Sequence, residues 1–390
     1  MRCKSYGTKS ALVGWLVLTL VVASSAKSYL MYVGTYTNAG SKGIYAYRYD
    51  DQTGKLSPIG VAAETENPSF LVADTIGEHL YAVNETQKYQ GTSSGAVTAF
   101  AIDRATAKLN KLDEVASRGA DPCFISFDRS GKYLLVANYT GGNVAVFPVS
   151  GNGKVGEALS VFNDEGVLGP NKQRQEKAHA HWIQASARNR FAYVSDLGLD
   201  RVLIYKFDAN KGQLSRIGSE GSSKKFFSAT LAPGTGPRHV AFSSAGHFMY
   251  VLGELDSTVT VFSNDNQETY RAIQKLSALP NGFSGKNTAA EITIHPTGKF
   301  LYTSNRGDDS IAVFSIDTSA KLTHLQRVPS GGKTPRHFAI DPSGTHLLAA
   351  NQDTGNIVEF TIDAFTGKLT NDGEVAKVPS PVCVIFVATD

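Results

Sequence analysis

The 390-residue chain is short of several things that would direct its interpretation. It holds three cysteines. Cys3 falls in the N-terminal segment, which leaves Cys123 and Cys383 for the body of the protein. Two cysteines are no disulfide framework. They fall in innermost strands of units that are not neighbours, so the expectation is two buried free thiols. Strong charge is also missing: the net charge is +3 and the basic residues are scattered, which excludes a nucleic-acid footprint. No apolar run reaches the roughly 20 residues that a bilayer-spanning helix needs. The longest, at 11–22, follows Arg2, Lys4 and Lys9 and precedes the small residues Ala23, Ser24, Ser25 and Ala26. That order describes an export signal. The expected organisation is a signal peptide over 1–26 and one domain over 27–390. The mature protein is then exported to the periplasm or beyond, free of the membrane and monomeric.

Helical periodicity is absent outside that segment, and what is present is a repeated phrase. Pro-x-x and an alternating apolar run lead to Asp or Ser, x, x and Gly. A second strand, a short polar turn and a Val/Ile-rich strand follow. The second strand ends YVGTY, YAVNE, LVANY, YVSDL, YVLGE, YTSNR and LAANQ, closing at Tyr36, Glu85, Tyr139, Leu197, Glu254, Arg306 and Gln352. The spacings are 49, 54, 58, 57, 52 and 46. Seven units of about fifty residues and four antiparallel strands predict an all-β, seven-bladed β-propeller. The first unit lacks its innermost strand, and the run from Pro381 has no downstream partner. The prediction is a ring closed by the C-terminal strand pairing with the N-terminal blade.

The register also predicts a polar mouth. In each blade the start of strand one and the end of strand two lie at the same face, nearest the axis. The residues after the opening Pro position are Ser69, Cys123, His181, Arg238, Ala290, Arg336 and Val382. Together with Glu85, Glu254 and Arg306 they bring three arginines, two carboxylates and a histidine to one rim. Charges at innermost positions are costly for a scaffold, so an anionic small-molecule site is expected there. His239 and His337 are expected to alternate to the other side of the strand and pack between blades. His179 and His181 share H-x-H spacing, but no third ligand accompanies them, so no metal is expected. Arg174 lies in the longest irregular insertion, 163–181, which is long enough to cover the site.

The runs GPNKQRQEKAHAHW (169–182), SDLGLDRVLIYKFD (195–208), GPRHVAF (236–242), NTAAEITIHPTGKFLYTSNRGDDSIAVF (287–314) and TPRHFAIDPSGTHLLAANQDTGNI (334–357) resemble the lactonase family of seven-bladed propellers. That family includes propeller-type 6-phosphogluconolactonases and fungal 3-carboxymuconate lactonising enzymes. The resemblance implies a cofactor-free enzyme acting on a small anionic lactone or sugar acid. For the muconate enzymes a His, a Glu and two Arg at the channel mouth form the active site. By motif these correspond to His181, Glu254, Arg238 and Arg306. The reading of the residues themselves, apart from the resemblance, adds Arg336, Glu85, His179 and Arg174 as substrate-binding candidates. Hydrolysis of a sugar-derived lactone is the expected activity. Cycloisomerisation of a muconate-like acid, or ligand binding without turnover, are the alternatives. The family's sugar-phosphate members work in the cytosol, so an export signal argues against a phosphorylated substrate.

Overall fold

The computed structural model describes residues 1–4, 28–217, 228–264 and 270–389. Almost all of the expected signal peptide therefore lies outside the described residues. The strands form seven antiparallel sheets, six of four strands and one of five. They are the seven predicted blades, and the extra strand is Ser228–Thr230, which pairs with the third strand of blade 4. The predicted closure is present: Pro381–Ala388 pairs antiparallel with Ser28–Thr35, from Tyr29 opposite Ala388 to Gly34 opposite Cys383.

Local chemistry explains why the phrase folds as it does. The hairpin between strands one and two turns on Asp-x-x-Gly. In blade 3 the Asp128 carboxylate accepts from the backbone N–H groups of Ser130, Lys132 and Tyr133. Gly131 then takes φ 70°, a left-handed conformation that side chains resist. Blade 4 lacks this glycine, and Asn189 adopts φ 55° in its place. Tyrosines within second strands staple neighbouring blades. The hydroxyls of Tyr32, Tyr81, Tyr250 and Tyr302 donate to the carbonyls of Ala107, Gly153, Ala320 and Gly367 in the next blade's outer turn. Each buries a large ring while satisfying its polar tip. Asparagines ending second strands do the same near the axis, as Asn138 to the Ser117 carbonyl and Asn351 to the Ser330 carbonyl show. Cys123 and Cys383 are both buried and free.

Candidate active site

Every innermost strand enters the ring through the same irregularity. Its pairing with strand two skips one residue just after the opening position, between Pro68 and Phe70, Pro122 and Phe124, Ala180 and Trp182, and Pro335 and His337. The same single-residue excess occurs after Pro237, Ala289 and Pro381. These are β-bulges, which bend a strand and re-aim the extra side chain. The residue before the opening proline is also left-handed in five blades, at Asn67, Asp121, Gly236, Thr334 and Ser380. Each chain therefore turns sharply into the axis and presents its bulged residue there.

The bulges surround a cavity of 240 Å³ lined by Glu85, Cys123, Tyr139, Arg174, His181, Glu254, Thr288, Arg306 and Arg336. Its centre of charge is Glu254. One carboxylate oxygen meets Arg174 at 2.6 Å; the other meets Arg306 at 3.2 Å and Arg238 at 3.3 Å. Burial opposes ionisation of Glu254, yet Arg306, Arg238 and Arg174 outweigh it and hold its pKa at about 2. Burial also draws Arg306 down to about 10 and Arg238 below the usual arginine range, and both remain cations at neutral pH. The three guanidiniums exceed the single carboxylate, so this wall keeps positive character.

His181 stands beside this group. Its Nε2 is 3.8 Å from Glu254 and its Nδ1 is 3.7 Å from Cys123 Sγ, so neither nitrogen has a short partner. Burial, with Arg238, His239 and Arg336 adding repulsion, puts its pKa well below the ordinary value. The imidazole is therefore neutral at pH 7, with a free lone pair to accept a proton. Burial pushes the Cys123 thiol well above its ordinary range and keeps it protonated.

Six of the eight candidate residues reach the cavity wall: His181, Glu254, Arg306, Arg336, Glu85 and Arg174. Arg238 lies behind Glu254, only 3% exposed, and also donates to the Ala290 carbonyl. His179 does not reach the wall. Its nitrogens meet the Tyr139 carbonyl at 3.1 Å and Glu176 at 3.0 Å, and its ring stacks on Tyr139 at 4.4 Å. His179, a substrate-binding candidate by sequence, is therefore corrected here: His181 is bulged and His179 precedes the strand, so H-x-H spacing does not bring both rings to the cavity. Tyr139 lies between the two rings and presents its edge contact to His181.

His239 and His337 contact neighbouring blades as expected, both through Glu291 of blade 6, but they do not alternate away from the axis. The bulge turns consecutive residues toward the axis, so these histidines sit under the cavity. His239 lies 3.1 Å from Glu291, and His337 lies 3.5 Å from the same carboxylate. Phe70, from blade 2, packs edge-on against both histidines, and Phe124 packs against His239. These contacts bring side chains of blades 2, 3, 5 and 7 together near the axis. Cys123 and Tyr139 are cavity residues that the charge-based choice passed over, although they occupy the same register positions as His181 and Glu254.

The insertion crosses this mouth. Gln175 ties it down through the Leu197 carbonyl, Gly169 N–H bonds the Gly198 carbonyl, and Arg174 reaches both Glu254 and the Tyr139 hydroxyl. A larger space of 450 Å³ lies at the opposite face between blades 4 and 5. There Arg129 donates to the carbonyls of Ala185 and Ser186, and no carboxylate among the described residues lines the space. Among the described residues no cluster of three or more His, Cys, Asp or Glu has the arrangement to hold a metal ion.

Comparison with known proteins places these features in context. The family described as "Lactonase, 7-bladed beta-propeller" matches residues 30–386. A Bacillus subtilis protein named 6-phosphogluconolactonase is 36% identical over 361 residues, covering 92% of this chain and 98% of its own. A Formosa agariphila protein of the same name is 36% identical over 74% of this chain and 79% of its own. The structure of a periplasmic gluconolactonase from Pseudomonas aeruginosa superimposes with a TM-score of 0.84 at 32% identity. That match spans 93% of this chain and 100% of the other.

Proposed function

Because this chain belongs to the lactonase family of seven-bladed β-propellers, we propose that it hydrolyses a sugar-derived lactone in the cavity at the propeller mouth. The observation that carries the proposal is the neutral, buried His181 with Nε2 3.8 Å from an ionised Glu254, among arginines. Water attacks the lactone carbonyl carbon while His181 Nε2 takes its proton. The resulting imidazolium is stabilised by Glu254. Arg306 and Arg174 donate to the oxyanion that forms on the carbonyl oxygen. When the C–O ring bond breaks, His181 returns the proton to the departing alkoxide, and the product is a hydroxy acid. Its carboxylate is received by the same arginines. Arg238 holds the Glu254 carboxylate in place from behind.

The proposal extends to the compartment and the substrate. The basic, apolar and small-residue order of 1–26 supports export, and a similar structure is that of a protein named as a periplasmic gluconolactonase. An unphosphorylated aldonolactone suits that setting better than a sugar phosphate. The test uses purified mature protein with gluconolactone, its 6-phosphate and a muconolactone, followed by acid release in a pH-stat. His181→Ala is expected to lower kcat for the preferred lactone by about 10²–10⁴-fold with KM within a few-fold. An unchanged kcat would remove His181 from catalysis, and silence on all three substrates would end the hydrolase proposal.

A further inference from the structure

The two sides of the cavity differ in how fully their polar groups are used. On the side of blades 4 to 6, Arg174 and Arg306 are committed to Glu254, and Arg306 also donates to the carbonyls of Thr288 and Ala289. On the side of blades 1, 2 and 7 the groups remain open. Glu85 accepts the Tyr36 hydroxyl on Oε1 at 2.8 Å, while its Oε2 is buried and meets no donor among the described residues. Arg336 is held with Cζ 5.2 Å above the Tyr36 ring, by a cation–π contact instead of a carboxylate clamp. Tyr36 thus supports both groups: its hydroxyl orients the carboxylate and its face carries the guanidinium.

An unpartnered buried acceptor is expensive unless a ligand supplies a donor. A carboxylate accepts and does not donate, so it wants O–H groups. A guanidinium offers N–H groups to oxygens. A molecule carrying hydroxyls beside carbonyl or carboxylate oxygens satisfies both at once. We propose that Glu85 and Arg336, carried on Tyr36, form a hydroxyl-recognition subsite that selects polyhydroxylated lactones over lactones without ring hydroxyls. This deepens the lactonase proposal and rests on it for the identity of the ligand. Sites built to hydrogen-bond a substrate hydroxyl reject analogues lacking it by up to about 10⁴–10⁵-fold.

The experiment compares kcat/KM for gluconolactone and for δ-valerolactone, which has the same ring size and no hydroxyl substituents. The wild-type protein is expected to favour gluconolactone by at least about 100-fold. Glu85→Gln preserves size and should cut gluconolactone turnover about 10–100-fold while leaving δ-valerolactone within about two-fold. Tyr36→Phe, which frees the Glu85 carboxylate, should move the same ratio in the same direction, and thermal melts establish that both variants fold. A second arm measures binding of gluconate and 5-hydroxypentanoate by calorimetry, independently of turnover. There Glu85→Gln should weaken gluconate about tenfold and leave 5-hydroxypentanoate unchanged. Equal losses for both members of a pair would overturn the subsite. Selective gluconate binding in a protein that opens neither lactone would overturn the hydrolase proposal and keep the subsite.

Discussion

Glu254 holds its charge in a buried position because three guanidiniums surround it, and this has a consequence for acid stability. Its pKa falls from 4.5 to about 2, that of Glu291 falls equally, and that of His239 falls from 6.5 to about 4. For His239 burial is the main cause, with Glu291 working against it; for the two carboxylates burial is outweighed by their cationic and imidazole partners. All three folded values lie below the unfolded ones. The stability each contributes is therefore complete above its unfolded pKa and is lost as pH falls through the folded one. His239 should cost stability between pH 6.5 and about 4, on the order of 3 kcal/mol at the lower limit, and the two glutamates from 4.5 to about 2. Calorimetric melts should show Tm declining from pH 7 to 4, less steeply in His239→Asn; a level Tm across that range would contradict this account. Much of the site at this scale was legible in the sequence. Charged residues at innermost positions stand out because they violate the apolar pattern, which is how His181, Arg238, Glu254 and Arg306 were found. Cys123 and Tyr139 violate nothing, and were passed over for that reason.

The insertion carrying Arg174 owes its course to a close backbone approach. Gly198, at the end of a second strand, has no side chain because the chain of the insertion passes directly over it. A Cβ there would stand 1.8 Å from the Lys177 carbonyl oxygen. Gly198→Ala should therefore lift the segment and withdraw Arg174 from Glu254. The expected result is a fall in kcat/KM of about tenfold or more, matching Arg174→Ala. Limited proteolysis should also cut within 164–179 sooner than in the parent. Intact activity with faster cleavage would show that the insertion does not serve the site. Strands and hairpins were readable from alternation and from Asp-x-x-Gly turns, because those signals are local. The bulges were not. A bulge is defined by what lies opposite, and Arg238-His239 reads as ordinary alternation until its partner strand is seen to supply one residue fewer. That is why alternation places His239 and His337 between blades but does not also bring them against Phe70 at the axis.

For the whole molecule the decisive element is the last one. The strand Pro381–Ala388 completes blade 1 and buries Val382, Cys383, Val384 and Val387. A chain ending at residue 380 would leave Ser28–Thr35 as an open edge and remove the contact that makes the ring continuous. Each buried aliphatic side chain is worth about 1.5–3 kcal/mol, against a total stability of roughly 5–15 kcal/mol for a folded protein. The truncated chain should accumulate in the insoluble fraction, or melt without a cooperative transition. A soluble product with the parent's Tm would show that the ring closes by other means. By itself the sequence determined the number of blades, their order and the partner of the final strand, because repeat spacing and an unmatched strand at each end are properties of the chain. It also determined most of the residues that approach the axis, though not His239 and His337. Only the tertiary structure decided which of them meet. Glu254 gathers arginines from three other segments, Arg238 falls behind it, His179 turns away, and Glu85 and Arg336 are left open. These outcomes depend on one-residue bulges and on contacts among blades far apart in the chain, where no local pattern records the neighbour.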